Sequence, residues 1–223
     1  DSDRAKALGA AGAEGVAADL DDPAGVARAM QGAHGAFCVT NFWEHFSPEK
    51  ELAQAQILAR AAAAASVRHV IWSTLEDTRK SVPLGSGRMP VLMGRYNVPL
   101  FDAKGEANHF FTDLKLPVTL LHTSFYWDNF IHFGMGPAAG PDGKLAITLP
   151  MGNAKLPGIA VEDIGRCAMG VFKAGPTALG AVGIAGEHLT GAEMAAAFTQ
   201  LLGKPVAYNA VTADAYRGFG FPG

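Results

Sequence analysis

The sequence predicts an α/β chain: a Rossmann-type parallel sheet lacking its first strands, followed by a small mixed α/β C-terminal lobe. Three observations lead there. Short aliphatic runs, Gly35 to Thr40, Arg68 to Ser73 and Val118 to Leu121, alternate with helix-length segments. Strands alternating with helices at that spacing give a parallel sheet wound by right-handed crossovers. The helix-length segments carry start signals of their own: Asp22-Pro23 and Ser47-Pro48 each place a capping side chain before a proline at the first helical position. Finally, the chain opens at Asp1-Ser2-Asp3 and runs directly into a helix-like stretch, with no strand before it, so it reads as starting in the middle of a fold.

Taken in order, Ser2 or Asp3 caps a first helix through Leu8, which Gly9 and Gly12 stop. Ala13 to Asp19 reads as a short strand ending in a carboxylate. A helix from Asp22-Pro23 carries Val26 and Met30, and the buried strand 35–40 follows, with Asn41-Phe42-Trp43-Glu44 as its loop. The long helix from Ser47 to Ala65 has acids in its first turn, where the helix dipole favours them. After the strand 68–73, Arg79 to Pro99 is rich in Gly, Pro and Ser without periodicity, and reads as a long loop. Ala107, Phe110, Phe111 and Leu114 then recur at helical spacing until Leu116-Pro117 breaks the helix. Val118 to Leu121 has the profile of a buried parallel strand. Thr123 to Asn129, polar and aromatic together, reads as a loop covering a ligand. Residues 134–143 read as a linker, 145–147 as a strand and 161–172 as a helix. A strand at 181–184 is in a position to rejoin the sheet, and Thr190 with Glu193 forms a capping box for a helix to Leu202. The domain reading is a partial dinucleotide-binding domain over 1–133 and a lobe over 134–223 that is incomplete at its end.

Composition removes several classes of function. With 49% hydrophobic and 17% charged residues the chain can build a substantial core. A net charge of −3 without a basic patch argues against direct nucleic-acid contact. The apolar stretch from Ile57 to Val67 is interrupted by Arg60 and too short to span a bilayer. Cys38 and Cys167 read as reduced core residues, and a cytoplasmic location follows from the lack of a signal peptide. The seven histidines are scattered without metal-ligand spacing. There is no G-x-S-x-G elbow, no C-x-x-C, and no glycine-rich phosphate fingerprint anywhere in the 223 residues.

Ligands of parallel sheets lie beyond the carboxyl ends of the strands. Those ends carry Asp19, Thr40-Asn41, Ser73-Thr74 and the stretch Ser124 to Asn129. Asp19 is either an acceptor for an adenine amino group or a helix cap. Thr40 and Asn41 offer small hydrogen-bonding groups where a dinucleotide backbone would run. Lys104 has no partner at helical spacing; by itself it reads as a solvated surface lysine.

Several of these segments resemble the NmrA-like family: Val39-Thr40-Asn41-Phe42-Trp43-Glu44, Ile71-Trp72-Ser73-Thr74-Leu75-Glu76-Asp77, Phe101-Asp102-Ala103-Lys104-Gly105-Glu106, Phe125-Tyr126-Trp127-Asp128-Asn129, Asp142-Gly143-Lys144 and Gly220-Phe221-Pro222-Gly223. The resemblance covers nearly the whole chain. It implies an atypical branch of the short-chain dehydrogenase superfamily that binds NADP or NAD, with NADP favoured, and that includes redox sensors and co-regulators. It places Asp19 and Leu20 by the adenine, Thr40, Asn41 and Phe42 along the dinucleotide, Lys104 at the nicotinamide ribose, and Tyr126, Trp127, Asp128 and Asn129 around the nicotinamide. It also implies an upstream strand, a glycine-rich turn and a basic residue for the 2′-phosphate, all preceding Asp1. The partners it leaves open are a regulatory protein and a second copy of the chain.

Two departures bear on chemistry. The position four before Lys104, where the superfamily carries its catalytic tyrosine, is Leu100, which has no proton to donate. A family lysine in the helix after Asn41 is replaced by Ala53. The expected function is therefore an NAD(P)-binding regulator or redox sensor with little or no turnover. The alternative is an NAD(P)H-dependent reductase of the isoflavone-reductase-like kind, in which Lys104 alone is the acid–base group.

Overall fold

The computed structural model describes residues 3–220. Phe221 to Gly223 of the closing motif and the Ser2 cap lie outside the described residues. The helices are α1 (Asp3–Ala10), α2 (Pro23–Ala29), α3 (Pro48–Ala64), α4 (Pro99–Asp113), α5 (Asn129–His132), α6 (Val161–Ala174), α7 (Gly191–Leu202) and α8 (Ala213–Arg217). The strands are β1 (Gly35–Cys38), β2 (His69–Thr74), β3 (Val118–His122), β4 (Phe125–Tyr126), β5 (Ala138–Ala139), β6 (Leu145–Leu149), β7 (Leu156–Ile159), β8 (Gly180–Gly183), β9 (Glu187–Leu189) and β10 (Val206–Ala210). None of the described helices is long and apolar enough to cross a membrane.

A parallel central sheet of four strands runs in the order β1-β2-β3-β8. β1 and β2 pair in parallel from Gly35 opposite His69 to Cys38 opposite Trp72. The chain divides into two compact units, and the division passes through β3 and β8. The first comprises residues up to Leu120 with Gly175–Gly180; the second comprises Leu121–Ala174 and Ala181 onward.

In the first unit the core lies between the sheet and α3 and α4. Ala55, Ala59 and Ala62 are fully buried on one face of α3, and small side chains let α3 approach α4 closely. Trp72 of β2 stacks on Phe111 of α4, ring centroids 4.9 Å apart. The start signals operate as read: Asp22 accepts from the Ala24 N–H and Ser47 from the Lys50 N–H, each followed by proline. The second unit holds two three-stranded sheets, β10-β6-β5 and β4-β7-β9, around Ile147, Leu149, Met194 and Val206. The capping box of Thr190 and Glu193 opens α7, and Gly203, left-handed at φ 63°, closes it.

Some expectations are corrected. Residues 13–18 form no strand; they are exposed, and Val16 is 57% accessible. A strand needs a neighbour for its N–H and C=O groups, and none of the described strands pairs there. The loop expected over 123–129 contains β4, paired in parallel with β7, and runs into α5. The expected linker contributes β5, which pairs antiparallel with β6. Strands β7, β9 and β10 lie in short segments whose apolar pattern is too brief to read.

Candidate functional site

The chemistry-bearing residues of the first unit gather at the carboxyl end of β1, and the first turns of α4 determine how. In Asp102-Ala103-Lys104-Gly105-Glu106-Ala107-Asn108, each polar position has a defined partner. Asp102 is fully buried. Its Oδ1 accepts from the Thr78 N–H at 2.8 Å and the Thr78 hydroxyl at 2.5 Å, and its Oδ2 from the N–H groups of Asn97 at 2.7 Å and Val98 at 3.2 Å. Both ends of the 78–98 loop are therefore tied to one carboxylate. Gly105 lies so close to that loop that a Cβ would sit 2.5 Å from the Asp77 nitrogen. Glu106 bridges Arg79 at 2.9 Å and Arg95 at 2.8 Å. Asn108 accepts from the Thr74 hydroxyl at the end of β2.

Lys104 is buried, not a surface lysine: it is 7% accessible. Its Nζ donates to the Thr40 hydroxyl at 2.7 Å and the Thr40 carbonyl at 3.3 Å, and pairs with Glu51 Oε1 at 2.7 Å. It also lies 5.1 Å from the centre of the Trp72 ring. The Thr40 hydroxyl donates in turn to the same Glu51 oxygen. Burial pushes the Lys104 amine below its ordinary range, and the charge and hydrogen bond of Glu51 act against that. Burial also pushes the Cys38 thiol up to about 12, which removes it as a nucleophile at neutral pH.

Glu51 escaped the sequence reading, which took it for one of several first-turn acids. The signal was there: Glu51, Ala55, Leu58 and Ala62 share the buried face of α3, and a charged residue on a buried stripe calls for a buried partner. The pair is separated by 53 positions, so helical spacing could not reveal it.

Beside this network is a cleft of about 800 Å³ lined by Ala17 to Asp22, Val39, Asn41, Glu44, Lys50 and Gln54. Asp19 and Leu20 lie in its wall; the Asp19 carboxylate accepts from the Asp21 N–H at 2.9 Å. Asn41 donates to Glu44 at 3.0 Å. Lys50 is paired with Asp21 at 2.6 Å, and the hydrogen bond to it holds the Asp21 carboxyl below its usual range. The charged groups of the wall are four carboxylates, of Asp19, Asp21, Asp22 and Glu44, and one amine, of Lys50. The wall suits a ligand that donates hydrogen bonds, such as an adenine amino group or ribose hydroxyls. Ala53 is exposed one turn beyond Lys50. Phe42 is buried, its ring edge-on to Trp43, His45 and Phe46.

The other expected site residues belong to the second unit. Tyr126 pairs with Ile159 between β4 and β7. Trp127 donates its N–H to the Ile159 carbonyl and lies against Gly158, where a Cβ would meet the indole at 2.2 Å. Its ring stacks on Phe130. The Asp128 carboxylate accepts from the Val161 N–H at 2.8 Å, at the start of α6, where the helix dipole favours an anion. Asn129 opens α5.

Comparison with known proteins shows the family of the chain. The model of the NmrA-like family matches residues 1–222. The nitrogen metabolite repression protein nmr of Neurospora crassa is 28% identical over 194 residues, 82% of this chain and 36% of that protein. The NAD(P)H azoreductase of Xenophilus azovorans is 27% identical over the whole chain and 71% of its own length. Among solved structures, the negative transcriptional regulator NmrA in complex with NADP is 26% identical with a TM-score of 0.72, covering 86% of this chain and 57% of that one. The chain therefore spans between about a third and three fifths of the regulators it matches.

Proposed function

The chain belongs to the NmrA-like family, and from that premise we propose that it binds a nicotinamide dinucleotide and serves as a regulator or redox sensor. The observation that carries this is the meeting of the acidic cleft and the Thr40–Lys104 network at the carboxyl end of β1. Asp19, Leu20 and Asn41 would hold the adenosine end, and Thr40 and Lys104 the ribose nearer the nicotinamide. When bound, the dinucleotide supplies a hydride donor or acceptor. The chain's own residues bind it, orient it and hold a proton at Lys104 Nζ. The regulator reading is supported by the relationship to nmr and NmrA. The preference for NADP expected from the resemblance requires a cation other than Lys50, which is paired with Asp21.

A second reading, reduction of a substrate with Lys104 as general acid, is favoured by one observation. Its amine is buried within hydrogen-bond reach of Thr40 and Glu51, and burial lowers its pKa from the ordinary lysine range while Glu51 acts against that. The relationship to an azoreductase points the same way. Titration of the full-length protein with NADPH, NADP, NADH and NAD by calorimetry tests the shared premise. We expect dissociation constants on the order of micromolar for at least one of them. Absence of binding by all four overturns both readings. NADPH oxidation with azo dyes and quinones as acceptors then separates sensor from reductase.

A further inference from the structure

We propose that Glu51 is the positioning residue for Lys104: from the buried face of α3 it keeps the ammonium charged and aimed at the end of β1. The function of that charge rests on the dinucleotide-binding reading above; the pairing itself does not.

The argument begins with the number of donors. An ammonium has three N–H bonds. Here they face three acceptors on one side: Thr40 Oγ1, the Thr40 carbonyl and Glu51 Oε1. Thr40 is part of the chain leaving β1 and Glu51 is on α3, so two separate elements fix the Lys104 head. Without a counter-charge, burial lowers the pKa of this lysine further, and the neutral amine has only two N–H bonds to donate. Among the described residues, Glu51 is the only acid paired with Lys104; Trp72 offers its ring face and Thr40 neutral oxygens. Asp102, two residues away on the same helix, is turned to the 78–98 loop.

The second oxygen of Glu51 distinguishes this pair from a finished structural ion pair. Oε2 is buried and makes no hydrogen bond, and it faces His45 Nε2 at 3.7 Å, likewise buried and without a hydrogen bond. His45 Nδ1 accepts from the Ser47 N–H at 3.1 Å, which places the proton of the neutral ring on Nε2, toward Glu51. At 3.7 Å this N–H stands just outside hydrogen-bond distance of the carboxylate that holds Lys104.

The test is a ¹³Cε-lysine NMR titration of the full-length protein without dinucleotide, comparing wild type, Glu51→Gln and Glu51→Asp. Lys104 is assigned from its absence in Lys104→Met. We expect wild-type Lys104 to be protonated throughout neutral pH, Glu51→Gln to lower its midpoint by about one pH unit or more, and Glu51→Asp to restore most of the shift. A residue that only supports the fold would change stability and leave the midpoint in place. A neutral Lys104 in the wild type at pH 7, or equal midpoints in wild type and Glu51→Gln, overturns the proposal. Should Glu51→Gln not fold, the wild-type protonation state and the Glu51→Asp midpoint still decide. NADPH affinity across pH 6–9 forms the second arm. Glu51→Gln is expected to lose about tenfold more affinity than wild type toward the alkaline end, where its lysine is neutral. Failure of wild type to bind any dinucleotide would remove the cofactor reading while the NMR midpoints still judged Glu51.

Discussion

Asp102 and Lys104 are two buried charges on the same turn of α4, and they are solvated in opposite ways. Asp102 is saturated: four donors from Thr78, Asn97 and Val98 converge on its two oxygens. Lys104 is balanced by one carboxylate whose other oxygen makes no hydrogen bond. The saturated site has every reason to stay as it is and fastens a loop. At the second site the Lys104 N–H bonds all face acceptors, and the atom with a hydrogen bond still to gain is Glu51 Oε2. There is a further asymmetry. A buried lysine deprived of its partner can release a proton, which limits the penalty. A buried backbone N–H deprived of its acceptor has no such escape.

The largest expected effect tests that asymmetry directly. Asp102→Asn keeps the shape but removes the charge and turns an NH₂ group either to Thr78, whose N–H then loses its acceptor, or to Asn97 and Val98, whose two N–H groups do. A cost of about 3–5 kcal/mol is expected from urea unfolding at pH 7, the scale of leaving buried donors unpaired. Glu51→Gln measured alongside should cost clearly less at alkaline pH, where Lys104 is free to become neutral. Equal costs across pH would erase the distinction between the two sites.

Gly105→Ala comes next. Its Cβ would meet the Asp77 nitrogen at 2.5 Å and the Asp77 Cα at 2.9 Å, both backbone atoms that cannot rotate away. Overpacking of this kind costs about 1–3 kcal/mol, offset in part by a helix propensity gain of up to about 1 kcal/mol. The displacement should fall on the Asp77–Arg79 segment, and the Lys104 midpoint should stay in place. A shifted Lys104 titration in Gly105→Ala would show that the two sites are coupled through α4.

How much of this could be read beforehand follows from the same contrast. Local signals were legible: Asp22-Pro23, Ser47-Pro48 and the Thr190–Glu193 box depend on neighbours within one turn, and all three cap as expected. The strands β1, β2 and β3 were legible because the apolar runs that encode them stand between clear helices. Asp102 and Glu51 were not, because a buried charge is explained by residues far along the chain. Residues 13–18 misled for the converse reason: strand-like composition carries no information about whether a neighbouring strand pairs with it. Lys104 was located by resemblance alone, and its burial came only from the packing of α4 against α3 and β2.

The smallest effect belongs to the rim of the saturated site. Glu106 is bridged to Arg79 and to the half-exposed Arg95. Burial pushes its carboxyl up, but the hydrogen bonds and charges of the two arginines outweigh this, and its pKa lies below the ordinary value of 4.5. A carboxyl depressed in the fold stabilises it above the unfolded value, and that contribution is lost as the pH falls through the folded value. Glu106→Gln lacks the charge at every pH. The stability difference between wild type and Glu106→Gln should therefore be about 1 kcal/mol at pH 7, as for a partly exposed, charge-assisted bridge. It should shrink progressively below pH 4.5. Urea unfolding of both proteins at pH 7 and near pH 3.5 measures it. A difference that persists undiminished in acid would mean that Glu106 acts by packing between Arg79 and Arg95 and not by charge. The loop's fastening would then rest on Asp102 and on the ion pair of Asp77 with Arg79.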